Sequence, residues 1–143
     1  MLFPIVGCEK KDPGLSSELR GTWELVQSQS TYYKRDGTVE LEDIRKPTPA
    51  GSVTQVITSD SLVSRLALAL GGSIQFRAGY TRQGNVLKVT AENNIGGGSF
   101  ILSSYQLTIE ELTEKRLVFR KEDFYPASQG GGLFTRGRTL YTR

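Results

Sequence analysis

The chain has 143 residues, with 37% hydrophobic residues, 16 Gly, one Met and a net charge of +3 from 18 basic and 15 acidic side chains. That length supports one domain with its own core, and a Gly-rich, Met-poor mix fits strands and turns better than long helices. His is absent and Cys occurs once, which excludes Ser-His-Asp and Cys-His catalysis, an internal disulfide and a Cys- or His-built metal site.

In chain order, an apolar run Leu2-Phe3-Pro4-Ile5-Val6-Gly7 ends at Cys8 and is followed by the polar stretch Glu9-Lys10-Lys11-Asp12-Pro13-Gly14. Ile5-Val6-Gly7-Cys8 resembles the lipobox of bacterial lipoproteins. The resemblance implies a signal peptide cleaved before Cys8, acylation of its thiol, and a tether leading to a folded part that begins near Leu15. Acyl chains partition into a membrane at about 0.8 kcal/mol per buried methylene, so several together anchor stably. Only seven residues precede Cys8 and none is basic, so a full leader is expected to start further upstream. Residues 1–14 are thus expected to be a truncated signal and tether, and 15–143 a single barrel domain. The alternative for Cys8 is a lone buried thiol.

From Gly21 to Val26, Trp23 and Leu25 alternate with Thr22 and Glu24, which predicts a strand with one buried face, continuing through Gln27 towards Tyr32-Tyr33. Asp36-Gly37 signals a hairpin into a strand at Thr38–Leu41. Arg45–Ser52, with Pro47, Pro49 and Gly51, reads as a loop, and Val53–Thr58 as a β-branched strand. Ser61–Leu70 fits two patterns: alternating leucines ending at Gly71-Gly72 favour a strand, while Leu62, Val63, Leu66 and Leu70 also make a helical stripe. Further on, Ile74, Phe76, Ala78 and Tyr80 share one face; Gln83-Gly84-Asn85 turns the chain; and Leu87 and Val89 face in. Asn93–Gly98 reads as a Gly-rich loop. Ile101, Tyr105, Leu107 and Ile109 then alternate with polar residues, Glu111–Lys115 turns, and Leu117 and Phe119 face in. Ala127–Gly132 is expected to be flexible and Arg138–Arg143 to be the last strand. Seven or eight consecutive short strands predict an all-β, antiparallel up-and-down meander that closes into a barrel, which removes exposed edges.

Gly21-Thr22-Trp23 resembles the Gly-x-Trp signature opening the first strand of lipocalins. Tyr80–Val89, with Gly84-Asn85-Val86-Leu87, and the Tyr105–Thr113 and Arg116–Phe119 segments resemble two later hairpins of bacterial lipocalin-like lipoproteins. The resemblance spans most of residues 19–122 and implies an eight-stranded barrel with an internal apolar cavity, attached to the outer membrane of a Gram-negative envelope on its periplasmic or surface face. It also implies that Trp23 closes the barrel floor with an Arg from the last strand packed across it, Arg138 being first choice and Arg143 second.

The inward aromatic and apolar positions Phe76, Tyr80, Tyr105, Leu107 and Phe119 are the candidate ligand-binding residues. They either line a pocket of about 300 Å³ or more or simply fill the barrel. The expected partners are a small hydrophobic ligand and, through Cys8, a membrane. The alternative is a scaffold with a filled interior, whose loops, with Tyr32-Tyr33 and Phe124-Tyr125, contact an envelope protein or a glycan. No catalysis, cofactor, metal or nucleic acid is expected. The acidic residues fall mostly on outward positions and turns, and the glycine triplets 96–98 and 130–132 lack the Lys-Ser/Thr of a phosphate loop.

Overall fold

The computed structural model describes residues 18–96 and 99–143. Cys8, with the lipobox and tether expected around it, lies outside the described residues. Among the described residues nine strands follow one another: β1 (Gly21–Tyr33), β2 (Val39–Arg45), β3 (Val53–Ile57), β4 (Ser61–Ala67), β5 (Ser73–Gln83), β6 (Val86–Gly96), β7 (Ser99–Leu112), β8 (Arg116–Phe124) and β9 (Leu133–Thr142). Every pairing is antiparallel, and β9 returns to pair with β1, so β1 and β3–β9 close an eight-stranded barrel with β2 as one extra strand. β2 and β3 share one edge of β1: β3 lies opposite Gly21–Glu24 and β2 opposite Ser28–Tyr33.

The expected hairpin at Asp36-Gly37 forms. The Asp36 carboxylate accepts from the Thr38 amide at 2.9 Å and from its hydroxyl at 2.6 Å, and Gly37 takes a φ of +89°. The strand after it runs over Val39–Arg45, longer than the Thr38–Leu41 expected. Ser61–Ala67 is a strand, not a helix, because β4 bonds to a neighbour on each side, β3 and β5. It ends in a turn in which the Leu68 amide donates to the Gly72 carbonyl at 3.1 Å. Leu70, at the tip of that turn, is fully exposed.

Two expectations are corrected. In β1 a bulge between Leu25 and Gln27 reverses the alternation, so Ser28, opposite cavity-facing Thr139, points in and Gln27 points out. The expected loop at Asn93–Gly98 is mostly strand: β6 continues to Gly96 and β7 begins at Ser99, with a register shift after Asn94. Ala127–Gly132 holds a 3-10 turn at Ala127–Gln129, closed by the Tyr125 amide donating to the Gly132 carbonyl at 2.8 Å.

The core occupies one end of the barrel. Trp23, Leu19, Ile57, Leu87, Leu112 and Leu117 are all but fully buried there, at the start of β1, the end of β3 and the β6, β7 and β8 termini that meet them. Burying each large side chain contributes about 1.5–3 kcal/mol, which makes this base the stable half. The other end is different. Leu66, Ile74 and Phe76 share the inward face of β4 and β5 by register, yet all three are exposed, Phe76 to 64%.

Candidate functional site

Above the packed base the barrel holds an open cavity of about 1360 Å³, with the exposed Phe76 among its lining residues. The wall that β4 and β5 supply is mostly apolar, with Leu62, Phe76 and Ala78. Leu107 and Phe119 continue it on β7 and β8. Polar groups interrupt it: Gln55 and Ser64, bonded to each other at 2.9 Å, and Tyr105, Lys121 and Thr139. The volume lies within the expected range of about 300 Å³ or more, but the cavity is open rather than enclosed and its lining includes polar groups.

Of the five candidate ligand-binding residues, the structure brings Phe76, Tyr105, Leu107 and Phe119 to this cavity. Phe119 lies at its bottom, nearly buried and edge-on to Tyr141 at 6.1 Å. Tyr80 does not line it: it packs against the core of the base, its hydroxyl donates to the Thr58 carbonyl at 2.5 Å, and it borders a second concavity of about 740 Å³ beside Asp60. Burial pushes the phenols of Tyr105 and Tyr141 above their ordinary value, so both keep their proton at neutral pH and remain donors.

Lys121 was not among the expected residues. The same alternation that turns Leu117 and Phe119 inward turns Lys121 inward two residues on. Its ammonium lies 5.3 Å from the centre of the Tyr105 ring and 3.1 Å from an Asp123 oxygen. The Asp123 carboxylate also accepts from the Thr135 hydroxyl at 3.2 Å.

At the packed end of the barrel Trp23 is wholly buried and donates its indole N–H to the Leu19 carbonyl at 2.9 Å. The cation packed across it is Arg143, not Arg138. The Arg143 guanidinium carbon sits 3.9 Å from the indole centre. Arg138 pairs with Gln29 and Arg120, well along the wall from Trp23, and its side chain is on the outside, bonding Glu110 at 2.7 Å. That outer face carries a linked set in which Arg120 and Arg138 both reach Glu110, and Arg136 reaches Glu122 at 2.8 Å. Among the described residues no three acidic or Cys side chains gather to hold a metal, and no helix is long and apolar enough to cross a membrane.

A closed eight-stranded antiparallel barrel whose first strand buries a Gly-x-Trp tryptophan under an arginine is a lipocalin-like fold. Solved structures agree. A lipocalin-like protein from Bacteroides uniformis matches with a TM-score of 0.53 at 19% identity, over 87% of this chain and 97% of that one. An uncharacterized protein from Bacteroides eggerthii matches with a TM-score of 0.53 at 16% identity, over 88% of this chain and 99% of its own. At such identities the likeness is one of fold. No protein-family model and no curated protein matches the chain.

Proposed function

We propose that this is a non-catalytic binding protein whose barrel takes up a small, largely apolar ligand through its open end, and that acylated Cys8 holds it on the outer membrane of a bacterial envelope. The observation that carries the binding reading is the division of the interior. The base is packed, while about 1360 Å³ above it is free of side chains, more than ligand pockets usually need. In favour of a non-catalytic role, the chain has no His, and the least exposed of the ion-paired carboxylates, Glu110 and Glu122, are engaged by arginines on the outside.

Titration with an environment-sensitive apolar dye tests the binding reading. Wild type is expected to bind the dye with a large rise in emission. Ala78→Trp, which puts an indole into the cavity beside Leu62, is expected to weaken that binding at unchanged secondary structure. Equal binding by both proteins contradicts the reading. Anchoring is tested by metabolic labelling with a clickable fatty acid in cells expressing the gene with a complete leader: label on wild type and none on Cys8→Ser is expected, and equal label on both refutes it.

A second reading, contact with an envelope protein, draws on β2. Among the described residues no strand pairs with its outer edge, and Val39, Leu41 and Ile44 are exposed along it, the arrangement by which sheets accept an added strand.

A further inference from the structure

We propose that the occupant of the cavity is a carboxylate-bearing amphiphile, with its head group on Lys121. This rests on the reading of the cavity as a binding site and specifies what fills it. Four observations carry it.

The first is charge. The charged residues among the described cavity lining are Lys121 and Arg77, both cationic. Arg77 lies opposite Val63, on the outward face of β5, which leaves Lys121 as the charge that faces in. Lys121 shares the cavity lining with Leu107 and Phe119, so an anionic ligand atom there gains a charge-assisted hydrogen bond that a neutral one does not.

The second is arrangement. In the closed ring of eight strands, β8 stands four strands from β4. The cavity therefore has a cationic side, with Lys121 and Thr139, across from the apolar side formed by Leu62, Phe76 and Ala78. A ligand matching both sides has one polar end and one apolar body.

The third is donor capacity. An ammonium has three N–H donors. Asp123 accepts from this one through two oxygens, at 3.1 and 3.4 Å. At least one donor is left for a ligand. The ion pair is also weak, both side chains being 40% or more exposed. Asp123 sits on the mouth side of Lys121, opposite Thr135, so an anion can approach from the cavity side.

The fourth is the second donor. The Tyr105 ring lies under the ammonium, and its phenol stays protonated. A carboxylate has two oxygens to divide between an ammonium and a hydroxyl, whereas an alcohol head has one.

The test is displacement of a bound apolar dye from the full chain by dodecanoate and by 1-dodecanol, which share a tail and differ in the head. For wild type, dodecanoate is expected to displace at roughly tenfold lower concentration, the size of one hydrogen bond to a charged group. Lys121→Met, which keeps the stem, is expected to abolish that preference and leave dodecanol within about twofold of wild type. Lys121→Arg is expected to keep it. Equal potency of acid and alcohol on wild type, or an undiminished preference in Lys121→Met, overturns the head-group assignment and leaves the cavity reading standing. Failure of the dye and both amphiphiles to bind wild type overturns the cavity reading and this inference with it.

Discussion

Arg143 lies over Trp23, with 3.9 Å between its guanidinium carbon and the centre of the indole, and the same guanidinium donates to three backbone carbonyls: Arg20 at 2.9 Å, Glu18 at 2.8 Å and Glu114 at 2.7 Å. One side chain at the end of β9 thereby ties the entry to β1 to the β7–β8 turn and covers the floor of the barrel. Arg143→Ala is expected to lower stability by about 1–2 kcal/mol, from a stacked cation and charge-assisted hydrogen bonds that are partly solvated. Arg138→Ala removes exposed ion pairing and is expected to cost less than about 1 kcal/mol. Urea midpoints of the two variants check this, and an equal loss in both contradicts the assignment of Arg143 to the floor.

Gly21 is the other half of that contact. Its φ is +142°, and a Cβ there would stand 2.8 Å from an Arg143 guanidinium nitrogen. The glycine of the Gly-x-Trp pattern thus lets the arginine reach the tryptophan. Gly21→Ala is expected to cost about 1–3 kcal/mol through backbone strain and displacement of Arg143. In an Arg143→Ala background part of that cost should vanish, so a double-mutant cycle by urea unfolding gives a coupling energy. Strict additivity counts against the contact.

Glu110 sets a pH dependence. Burial opposes its ionised form, but hydrogen bonds and charge from Arg138 and Arg120 outweigh burial and hold the carboxyl below its ordinary value of 4.5. A group lowered on folding stabilises fully above its unfolded value, and that contribution fades as pH falls through the native value. Wild type is therefore expected to lose stability below about pH 4.5 more steeply than Glu110→Gln. Parallel curves of unfolding midpoint against pH contradict this.

Stability and binding are expected to separate along the barrel axis. Leu117 is fully buried in the base and Phe76 stands at the mouth. Leu117→Ala is expected to cost about 2–5 kcal/mol as a core cavity, and Phe76→Ala less than about 0.5 kcal/mol as a surface change. Thermal unfolding of the two variants measures the contrast. Phe76→Ala should still weaken dye binding.

Much of the barrel was legible in the two-residue period. Alternation of Phe76, Ala78 and Tyr80, of Leu87 and Val89, and of Tyr105, Leu107 and Ile109 predicts the wall, because each strand has one face on the interior. The reading fails where the period itself breaks. The bulge after Leu25 inverts the upper part of β1, and nothing in Val26 or Gln27 marks it. The glycines near residue 96 read as loop, although an extended backbone suits glycine as well. Arg138 is the wrong cation because choosing it needs the β1–β9 register, which sets it beside Gln29 rather than at the Trp23 end. Lys121 could have been found by carrying the Leu117–Phe119 alternation one step further. The ladder turns it inward despite its charge.

The central claim is that the unfilled half of the barrel is a binding site. Native mass spectrometry of the protein purified from the cells that make it tests this most directly. The account predicts a bound species of small-molecule mass that leaves on unfolding and is reduced in Ala78→Trp. A wild-type protein that shows only its apo mass, and stays apo after incubation with excess dodecanoate and dodecanol, contradicts it.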